Sequence, residues 1–451
     1  MTQRNPSALS RLTAELSARA PAHALSFEGT IPFGPELEIA RFRLNNGLTI
    51  LLLVDTSAKV VAYHTWFKVG SRHEHPGKTG LAHLFEHLMF GTMEGFPPGE
   101  FDRQMEAAGA DNNASTWLDF TQYQEAFPKD QLGKIVKLEA TRMHRLVLGQ
   151  AELDTEKDVV LSERRFRVDD DVDGKVDELL WSTAFQRHTY KIPTIGLEED
   201  IKGFTLDDLM SFYRAYYSPG NAALILVGDF SMRSALSMIQ EAYGPIVSSP
   251  IPMEETWPEP PQIEERVRTL DLASSADRLA MGYKGPALGD DDHVAMSLLM
   301  EALVGGAASR LPKRLVRKES LVSDIRGAVG PHKDPSLIEF SAAAREGVRA
   351  ETILSAIDEE LDRVLAEPLS SDELARARSR TKLALLSGLE TADGKASTIG
   401  FYETILGKPA AAFERLERLG QLDAGDLLRV GRRYLTRNSR SVVLGHAKEA
   451  S

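Results

Sequence analysis

The residues most able to carry chemistry in this 451-residue sequence are His83, Glu86 and His87. Apolar neighbours such as Leu84 and Leu88 predict a helix with one packed face. Positions four apart lie on the same face of a helix, one turn apart, so His83 and His87 can direct both imidazoles at one metal ion. Glu86 lies beside the same point and can reach a water molecule held by the metal. Nitrogen and oxygen ligands suit zinc, and a fourth position left to water makes such a site catalytic.

A second predicted helix, residues 153–165, offers a further ligand. Glu156 and Glu163 are seven residues apart, about two helical turns, and therefore share a face. Most glutamate-rich helices are solvated charged surfaces, and this helix taken alone favours that interpretation. Taken together with the histidine motif, the helix becomes a candidate source of the third metal ligand.

These motifs resemble those of the pitrilysin/insulinase family of metallopeptidases, the inverted zincins, whose signature is H-x-x-E-H. The chain is similar to the half-length branch that includes the mitochondrial processing peptidase. In that family a glutamate ligand follows well downstream in a V-V-x-x-E context, and Val159 to Glu163 fits that context at a similar distance. The resemblance implies one zinc ion per chain, held by His83, His87 and Glu163, with Glu156 as an acidic catalytic helper near the site.

The resemblance extends to a predicted edge strand and to several shorter segments. Residues 109–116, together with Thr121 and Tyr123, look like the family's substrate-binding edge strand, which implies that Asn113, Ala114, Ser115 and Thr116 bind the peptide. Asn113 is also a common turn residue, so its assignment depends on the resemblance. The other matching segments are His188, Tyr190, Ile195–Gly196, Asp200–Ile201, Tyr216–Pro219, Asn221 and Val227–Phe230.

Six prolines between positions 245 and 261 mark the clearest linker in the chain. The segments after this linker look like a faint copy of those before it. We therefore expect an α+β fold of two homologous domains, each a mostly antiparallel sheet with helices packed on it, as in the family. The predicted order is a lead-in over residues 1–35, a zinc-binding catalytic domain over 36–244, a linker over 245–262 and a non-zinc domain over 263–451.

The second copy is predicted to be catalytically silent, because other residues stand where the metal motif would be. A strand over Leu279–Tyr283 and a helix over His293–Leu303 occupy the places of the strand over 60–69 and of the metal helix. Such a domain is available to close a cavity over a substrate. With Gly305 aligned to Gly91, the positions of His83, Glu86 and His87 hold Ser297, Met300 and Glu301.

One departure from the family concerns a pair of substrate-contacting residues. Many active members carry an arginine and a tyrosine seven residues apart in the second half, where this chain has Val316 and Ser323. Arg317 is one residue away and could substitute for the arginine, whereas no tyrosine lies nearby. An intact zinc half without this pair is the pattern of the catalytic subunit of a two-chain enzyme. We therefore expect a heterodimer with a homologous partner subunit that lacks the zinc motif and supplies both residues.

Composition argues against several other functions. The net charge is −13 and no basic stripe stands out, which argues against nucleic-acid binding. The absence of cysteine excludes disulfides and thiolate ligands. No apolar run is long enough to span a membrane. Residues 1–27 lack the apolar stretch of a secretory signal, so we expect a cytoplasmic protein, with the periplasm as the alternative if a signal peptide has been removed.

The motif and the resemblance together imply a zinc-dependent endopeptidase. It would hydrolyse peptides or unfolded polypeptides in an enclosed cavity, with Glu86 as general base for a zinc-activated water. The alternative is a non-catalytic structural or peptide-binding core subunit of a larger complex, as some relatives are. A scaffold has no need of a metal site, so the intact ligand set favours the peptidase.

Overall fold

The computed structural model of the protein describes residues 6–255 and 257–448, which divide into two compact units. The described parts of Met1–Leu161, Thr194–Glu255 and Ser387–Phe413 form unit 1, and those of Ser162–Pro193, Thr256–Leu386 and Glu414–Ser451 form unit 2. Each unit is built on one mostly antiparallel sheet with helices packed on it. This architecture confirms the predicted α+β fold class.

The sheet of unit 1 has buried apolar strands at its centre and a half-exposed strand beside one edge. Its strands are β1 (Leu25–Phe33), β2 (Leu37–Leu44), β3 (Thr49–Val54), β4 (Val60–Phe67), β5 (Asp111–Thr116), β6 (Thr121–Pro128) and β7 (Ala222–Gly228). They lie in the order β1-β2-β3-β7-β4-β6-β5, and β3 and β7 are its parallel pair. β7 is buried along its whole length, as in strands covered on both faces. β6 alternates buried and partly exposed residues.

The sheet of unit 2 repeats this topology. Its strands are β8 (Arg266–Ala273), β9 (Arg278–Lys284), β10 (Val322–Val329), β11 (Leu337–Ala344) and β12 (Arg440–Lys448). Their order is β10-β11-β9-β12-β8, and β8 and β12 are parallel. Strand for strand, this matches β5-β6-β4-β7-β3 of unit 1, so the two halves of the chain are copies and β1 and β2 are additions to the first.

The predicted metal helix and the predicted glutamate-rich helix both form. Among the residues that the structure describes, no helix is both long enough and apolar enough to cross a membrane. The helices are α1 (Pro6–Arg19), α2 (Leu81–Leu88), α3 (Glu100–Ala107), α4 (Leu132–His144), α5 (Gln150–Arg164), α6 (Val172–Ala184), α7 (Glu198–Lys202), α8 (Leu206–Tyr216), α9 (Met232–Tyr243), α10 (Asp291–Val304), α11 (Ala350–Ala366), α12 (Ser371–Gly388), α13 (Ala392–Leu406), α14 (Ala411–Gln421) and α15 (Ala424–Tyr434).

The first 35 residues, expected to be a weakly patterned lead-in, contain α1 and β1. Leu9, Leu12 and Leu16 recur at helical spacing and are buried, which gives α1 one packed face. β1 pairs along most of its length with β2, so it extends the sheet of unit 1. The leucine spacing was the available sequence signal for this helix.

Each unit contains one helix from the other half of the chain. α6 packs on strands β8, β9 and β12 of unit 2, although it precedes the proline-rich linker. α13 packs on β4 and β7 of unit 1, although it follows that linker. The contiguous domain boundaries predicted from the linker do not include this exchange, because the apolar pattern of a helix does not indicate which sheet it covers.

A buried arginine cluster joins α4 to β6 in unit 1. The Arg142 guanidinium is buried and lies 2.8 Å from the Glu125 carboxylate and 2.5 Å from the Glu139 carboxylate. Its Cζ atom lies 4.3 Å from the centre of the Tyr123 ring. Two carboxyl groups thus share one guanidinium. Burial, reinforced by the charge of Glu139, raises the pKa of Glu125, so folding favours the protonated form of this carboxyl.

We expect Glu125→Gln to change the free energy of unfolding by less than about 1 kcal/mol at pH 7, because folding favours the uncharged form of this carboxyl and glutamine is uncharged and of similar shape. Arg142→Met should cost about 3–5 kcal/mol, since it leaves the buried Glu139 carboxylate unpaired. The pKa of Glu125 is higher in the folded protein than in the unfolded one. Its contribution to stability is therefore complete below the pKa of the unfolded state and is lost as the pH rises through the pKa of the folded state. Urea unfolding at pH 6 and pH 9 measures both effects, and a Glu125→Gln cost equal to that of Arg142→Met at pH 7 would contradict this assignment.

Candidate metal centre

The start of α2 is fixed by a buried carboxylate. The Glu74 side chain accepts hydrogen bonds from the backbone N–H groups of Gly80 and Ala82, each at 2.8 Å. These N–H groups lie at the N-terminus of α2, where the helix itself cannot satisfy them. Burial raises the pKa of Glu74 to about 8, against the opposing effect of the two donors. The first turn of the metal helix is therefore tied to a residue outside the helix.

A close backbone contact holds the same turn from a second direction. A Cβ atom on Gly80 would lie 2.5 Å from the Ile195 carbonyl oxygen, and one on Gly196 would lie 2.3 Å from the Thr79 carbonyl oxygen. The Thr79 hydroxyl donates to the Asp200 carboxylate at 2.6 Å. Two of the segments singled out by the resemblance, 195–196 and 200–201, thus lie against the start of α2.

The apolar side of α2 packs on aromatic residues of α8 and β6. The Phe85 ring stacks on those of Phe212 and Tyr217, with ring centres 5.7 and 5.1 Å apart. The Tyr123 hydroxyl donates to the Phe85 carbonyl oxygen at 3.4 Å. Because Tyr123 also contacts Arg142, the buried arginine cluster supports the metal helix through β6.

His83, His87 and Glu163, the three predicted ligands, lie close together. One ligand atom from each lies within 4.8 Å of the others, with His83 buried and the other two partly buried. Glu163 lies on the last turn of α5. The first stretch of unit 1 ends within this helix, at Leu161. The site is thus carried by α2 and α5.

This donor set suits zinc. Ligands about 2.0–2.1 Å from a tetrahedral zinc ion lie about 3.3 Å from one another. Atoms within 4.8 Å of one another can reach that spacing through small side-chain rotations. Two imidazoles and one carboxylate leave a fourth position for water or substrate, which is the arrangement of a catalytic site.

Charged neighbours contact two of the three candidate ligands. The Glu156 carboxylate lies 3.5 Å from Nδ1 of His87, and both side chains are about a quarter exposed. A carboxylate beside a ligating imidazole fixes the tautomer and the ring orientation, and supports a positioning role for Glu156. Arg167, in the π-helical turn that follows α5, lies 3.0 Å from the Glu163 carboxylate.

Glu86 lies near two buried tyrosines, Tyr123 and Tyr217, and the sequence alone does not indicate this proximity. Burial raises the pKa of Tyr217, and the nearby charge of Glu86 adds to the rise. The pKa of Tyr123 is raised chiefly by burial as well, and Glu86 contributes there too. Both tyrosines come from segments that the resemblance singled out or bordered, which was the available signal.

The predicted substrate strand is β5, the last strand of its sheet, beside the metal helix. The Thr116 hydroxyl donates to the Ala82 carbonyl oxygen of α2 at 3.5 Å. The Asn113 side chain accepts from the N–H of Ala114 at 2.8 Å. The Gln122 amide donates to the Ser115 hydroxyl at 3.0 Å. The structure therefore brings the four predicted residues to a strand edge next to α2.

The second copy presents different chemistry. α10 follows β9 as α2 follows β4, and Ser297 in α10 donates to the His293 carbonyl oxygen at 2.8 Å. Arg317 and Ser323 are exposed. A second possible metal group among the described residues is Asp277, Glu351 and His446.

We interpret that group as structural. The Asp277 carboxylate accepts from the backbone N–H groups of Ala350 and Ala447, at 3.0 and 2.8 Å. The Arg349 guanidinium lies 3.5 Å from Asp277 and 3.8 Å from Glu351. The carboxylates therefore already have a cationic neighbour, and Asp277 ties the start of α11 to β12.

Comparisons with known proteins agree with the fold. The model of the insulinase family (Peptidase family M16) matches residues 49–198, and that of the Peptidase M16 inactive domain matches residues 203–381. Zinc protease PqqE of Helicobacter pylori is 30% identical over 398 residues, which cover 87% of this chain and 89% of the relative. The probable mitochondrial-processing peptidase subunit beta of Arabidopsis thaliana is 23% identical, over 93% of this chain and 80% of the relative.

A solved structure has a similar fold. The crystal structure of a protease from Helicobacter pylori superposes with a TM-score of 0.87 at 29% identity, covering 91% of this chain and 99% of that one. The chain belongs to the insulinase family of peptidases, family M16, in its half-length branch.

Gly196→Ala should lower the thermal midpoint and weaken zinc binding, because its Cβ would displace the Thr79–Gly80 turn that starts α2. Gly77→Ala is the matched control. Gly77 has a φ of 87°, against 85° for Gly196, and a Cβ there meets nothing within 4 Å. Both variants carry the left-handed backbone penalty of about 1–2 kcal/mol, so the difference between them isolates the contact. Equal melting and equal zinc titration curves for the two variants would refute the anchoring role.

Proposed function

We propose that this chain is the zinc-bearing subunit of an endopeptidase. The observation that carries the proposal is the convergence of His83, His87 and Glu163 beside an edge strand, with Glu86 on the same helix. The names of relatives such as zinc protease PqqE support a peptidase that uses zinc. The proposed substrates are peptides or unfolded polypeptides.

His83, His87 and Glu163 would hold one zinc ion per chain, and Glu156 would orient His87. When bound there, zinc lowers the pKa of a coordinated water towards neutrality and polarises the scissile carbonyl group. These three side chains supply only three ligands, so one position would remain for water or substrate.

Glu86 would act as the general base. It lies one residue before His87 on α2, so its carboxylate is close to the metal without being needed as a ligand. It takes the proton of the attacking water and can return it to the leaving amine. Tyr123 and Tyr217 lie near this carboxylate.

Strand β5 would bind the substrate. A peptide in extended conformation can add to the open side of an edge strand through backbone hydrogen bonds, which makes binding tolerant of sequence. Residues Asn113 to Thr116 supply that edge next to α2. Folded proteins rarely offer a free extended segment, so this mode selects peptides and unfolded chains.

Glu86→Gln should retain zinc but lower kcat by roughly 10²–10⁴-fold, because it removes only the base. Glu163→Gln should weaken zinc binding by more than the roughly 10–100-fold that loss of an outer partner such as Glu156 costs. Zinc titration and cleavage of a quenched-fluorescent peptide pool measure the two effects. Asp158→Asn removes an exposed carboxylate from α5, the helix that carries Glu163, and is the control for the loss of one negative charge. Equal zinc loss in the Glu86 and Glu163 variants would contradict the division of roles.

A homologous partner subunit would complete the enzyme. The positions of the substrate-contacting arginine and tyrosine hold Val316 and Ser323 in this chain. The name of the plant relative describes it as a subunit, which supports a two-chain enzyme. We propose that a family member without the zinc motif supplies the missing pair.

The purified chain alone should bind zinc yet cleave the peptide pool slowly, and addition of the partner should raise kcat/KM. Size-exclusion chromatography with light scattering establishes the oligomeric state of the sample used for the assay. Full activity in a monodisperse monomer would disprove the partner requirement while leaving the peptidase assignment intact.

A further inference from the structure

An open groove of about 540 Å³ lies in unit 1 between the first turn of α13 and strands β4, β6 and β5. We call it the α13 groove. It lies on the face of the sheet that α13 covers. Its polar lining includes Asp111, Asn113, Gln124 and Asp393, and its apolar lining includes Ala62 and Ala126.

The strand register shows how a bound peptide would meet this groove. Asn113 pairs with Gln124 of β6, which pairs with His64 of β4. Residues directly opposite on neighbouring strands point to the same face, so this row faces α13. A peptide strand added to β5 would continue the row. Its side chain opposite Asn113 would therefore project over the mouth of the groove.

The groove carries negative charge. Asp111 is exposed on β5, and Asp393 lies on the first turn of α13. The His64 imidazole lies 2.8 Å from the Asp393 carboxylate, and this contact lowers the pKa of Asp393, so the group is ionised at neutral pH. Among the lining residues, all within the described part of the chain, there is no lysine or arginine.

The cationic side chains closest in sequence to the lining residues form ion pairs with carboxylates outside the groove. Lys59 and Lys129 both contact Asp229, at 2.9 and 2.8 Å. Lys395 contacts Asp55 at 3.0 Å. The positive end of α13 is offset by the carboxylate of Asp393 in its first turn. This leaves Asp111, at the open side, without a basic neighbour among these residues.

We infer that the α13 groove binds an arginine or lysine side chain of the peptide that adds to β5. The inference rests on the proposed peptidase function and adds a preference for substrate charge. Long basic side chains have an apolar stem for the Ala62 and Ala126 surface and a charged head for the two aspartates. Asn113 precedes Thr116, the residue next to α2, by three positions, which is about 10 Å along a strand. The basic residue therefore lies about three residues from the one bound beside the metal helix.

Binding of labelled peptides to the zinc-loaded Glu86→Gln chain tests this inference without turnover. Each peptide carries one arginine, moved position by position along an otherwise neutral extended sequence, and has a glutamine twin. Fluorescence anisotropy gives the Kd of each. We expect the arginine peptide to bind roughly fivefold more tightly than its twin at one position some three residues from the scissile bond, and the advantage to shrink at high salt.

Asp111→Asn, added to the Glu86→Gln chain, should reduce this arginine advantage to less than twofold. Asp111 is exposed, so the change spares the core. Asp102→Asn, an exposed change on α3 outside the groove, should leave the advantage unchanged. The inference is overturned if arginine has no advantage at any position, if neither peptide binds, or if the advantage survives Asp111→Asn. Failure of the unmodified chain to cleave any peptide, both alone and with its partner subunit, would instead count against the proposed function, while the binding preference could still hold.

Discussion

Two imidazoles can share one metal ion only if the helix that carries them keeps a fixed position and rotation. In this protein that constraint falls on the first turn of α2. Glu74 binds two of its backbone N–H groups, and the Gly80 and Gly196 backbones lie too close together for any side chain between them. Both contacts come from outside the helix. An eight-residue helix is marginal by itself, so these tertiary contacts determine where His83 and His87 lie.

The support continues beneath the helix through polar groups in the core. Arg142 lies on the ring of Tyr123, and Tyr123 donates to the Phe85 carbonyl oxygen between the two histidines. A buried guanidinium with two carboxyl groups adds little net stability compared with an apolar core, but it has few alternative arrangements. We attribute to this cluster a fixed geometry of β6 and α2. The same strand, β6, pairs with β5, so the metal helix and the proposed substrate edge share one support.

The parts of the site that could be predicted from the sequence are those with local patterns. Spacing places His83 and His87 on one helical face, and the V-V-x-x-E context indicates Glu163. The fold class and the duplicated topology follow from resemblance and from the strand and helix that recur after the linker. The role of Glu74 could not be predicted, because it caps a helix six residues away through a turn. The exchange of α6 and α13 also has no local signal, since their destination depends on which sheet face is uncovered.

Other features are present in the sequence, but their structural role depends on the fold. Leu9, Leu12 and Leu16 have helical spacing in the segment expected to be a lead-in. The contacts of Tyr123 and Tyr217 near Glu86 became apparent only with the fold, although the resemblance singled out their segments. The charge of Asp111 can be related to a groove only when α13, which begins at Ala392, is placed over the sheet. In each case the missing information is which elements pack together, and a single sequence gives little indication of that.

The most direct test of the account is a crystal structure of the zinc-loaded chain with anomalous diffraction collected on both sides of the zinc absorption edge. We predict one strong zinc peak per chain, about 2.0–2.1 Å from a nitrogen of His83, a nitrogen of His87 and an oxygen of Glu163. No zinc peak at these residues, or a peak confined to the group of Asp277, Glu351 and His446, would contradict the assignment of the metal centre.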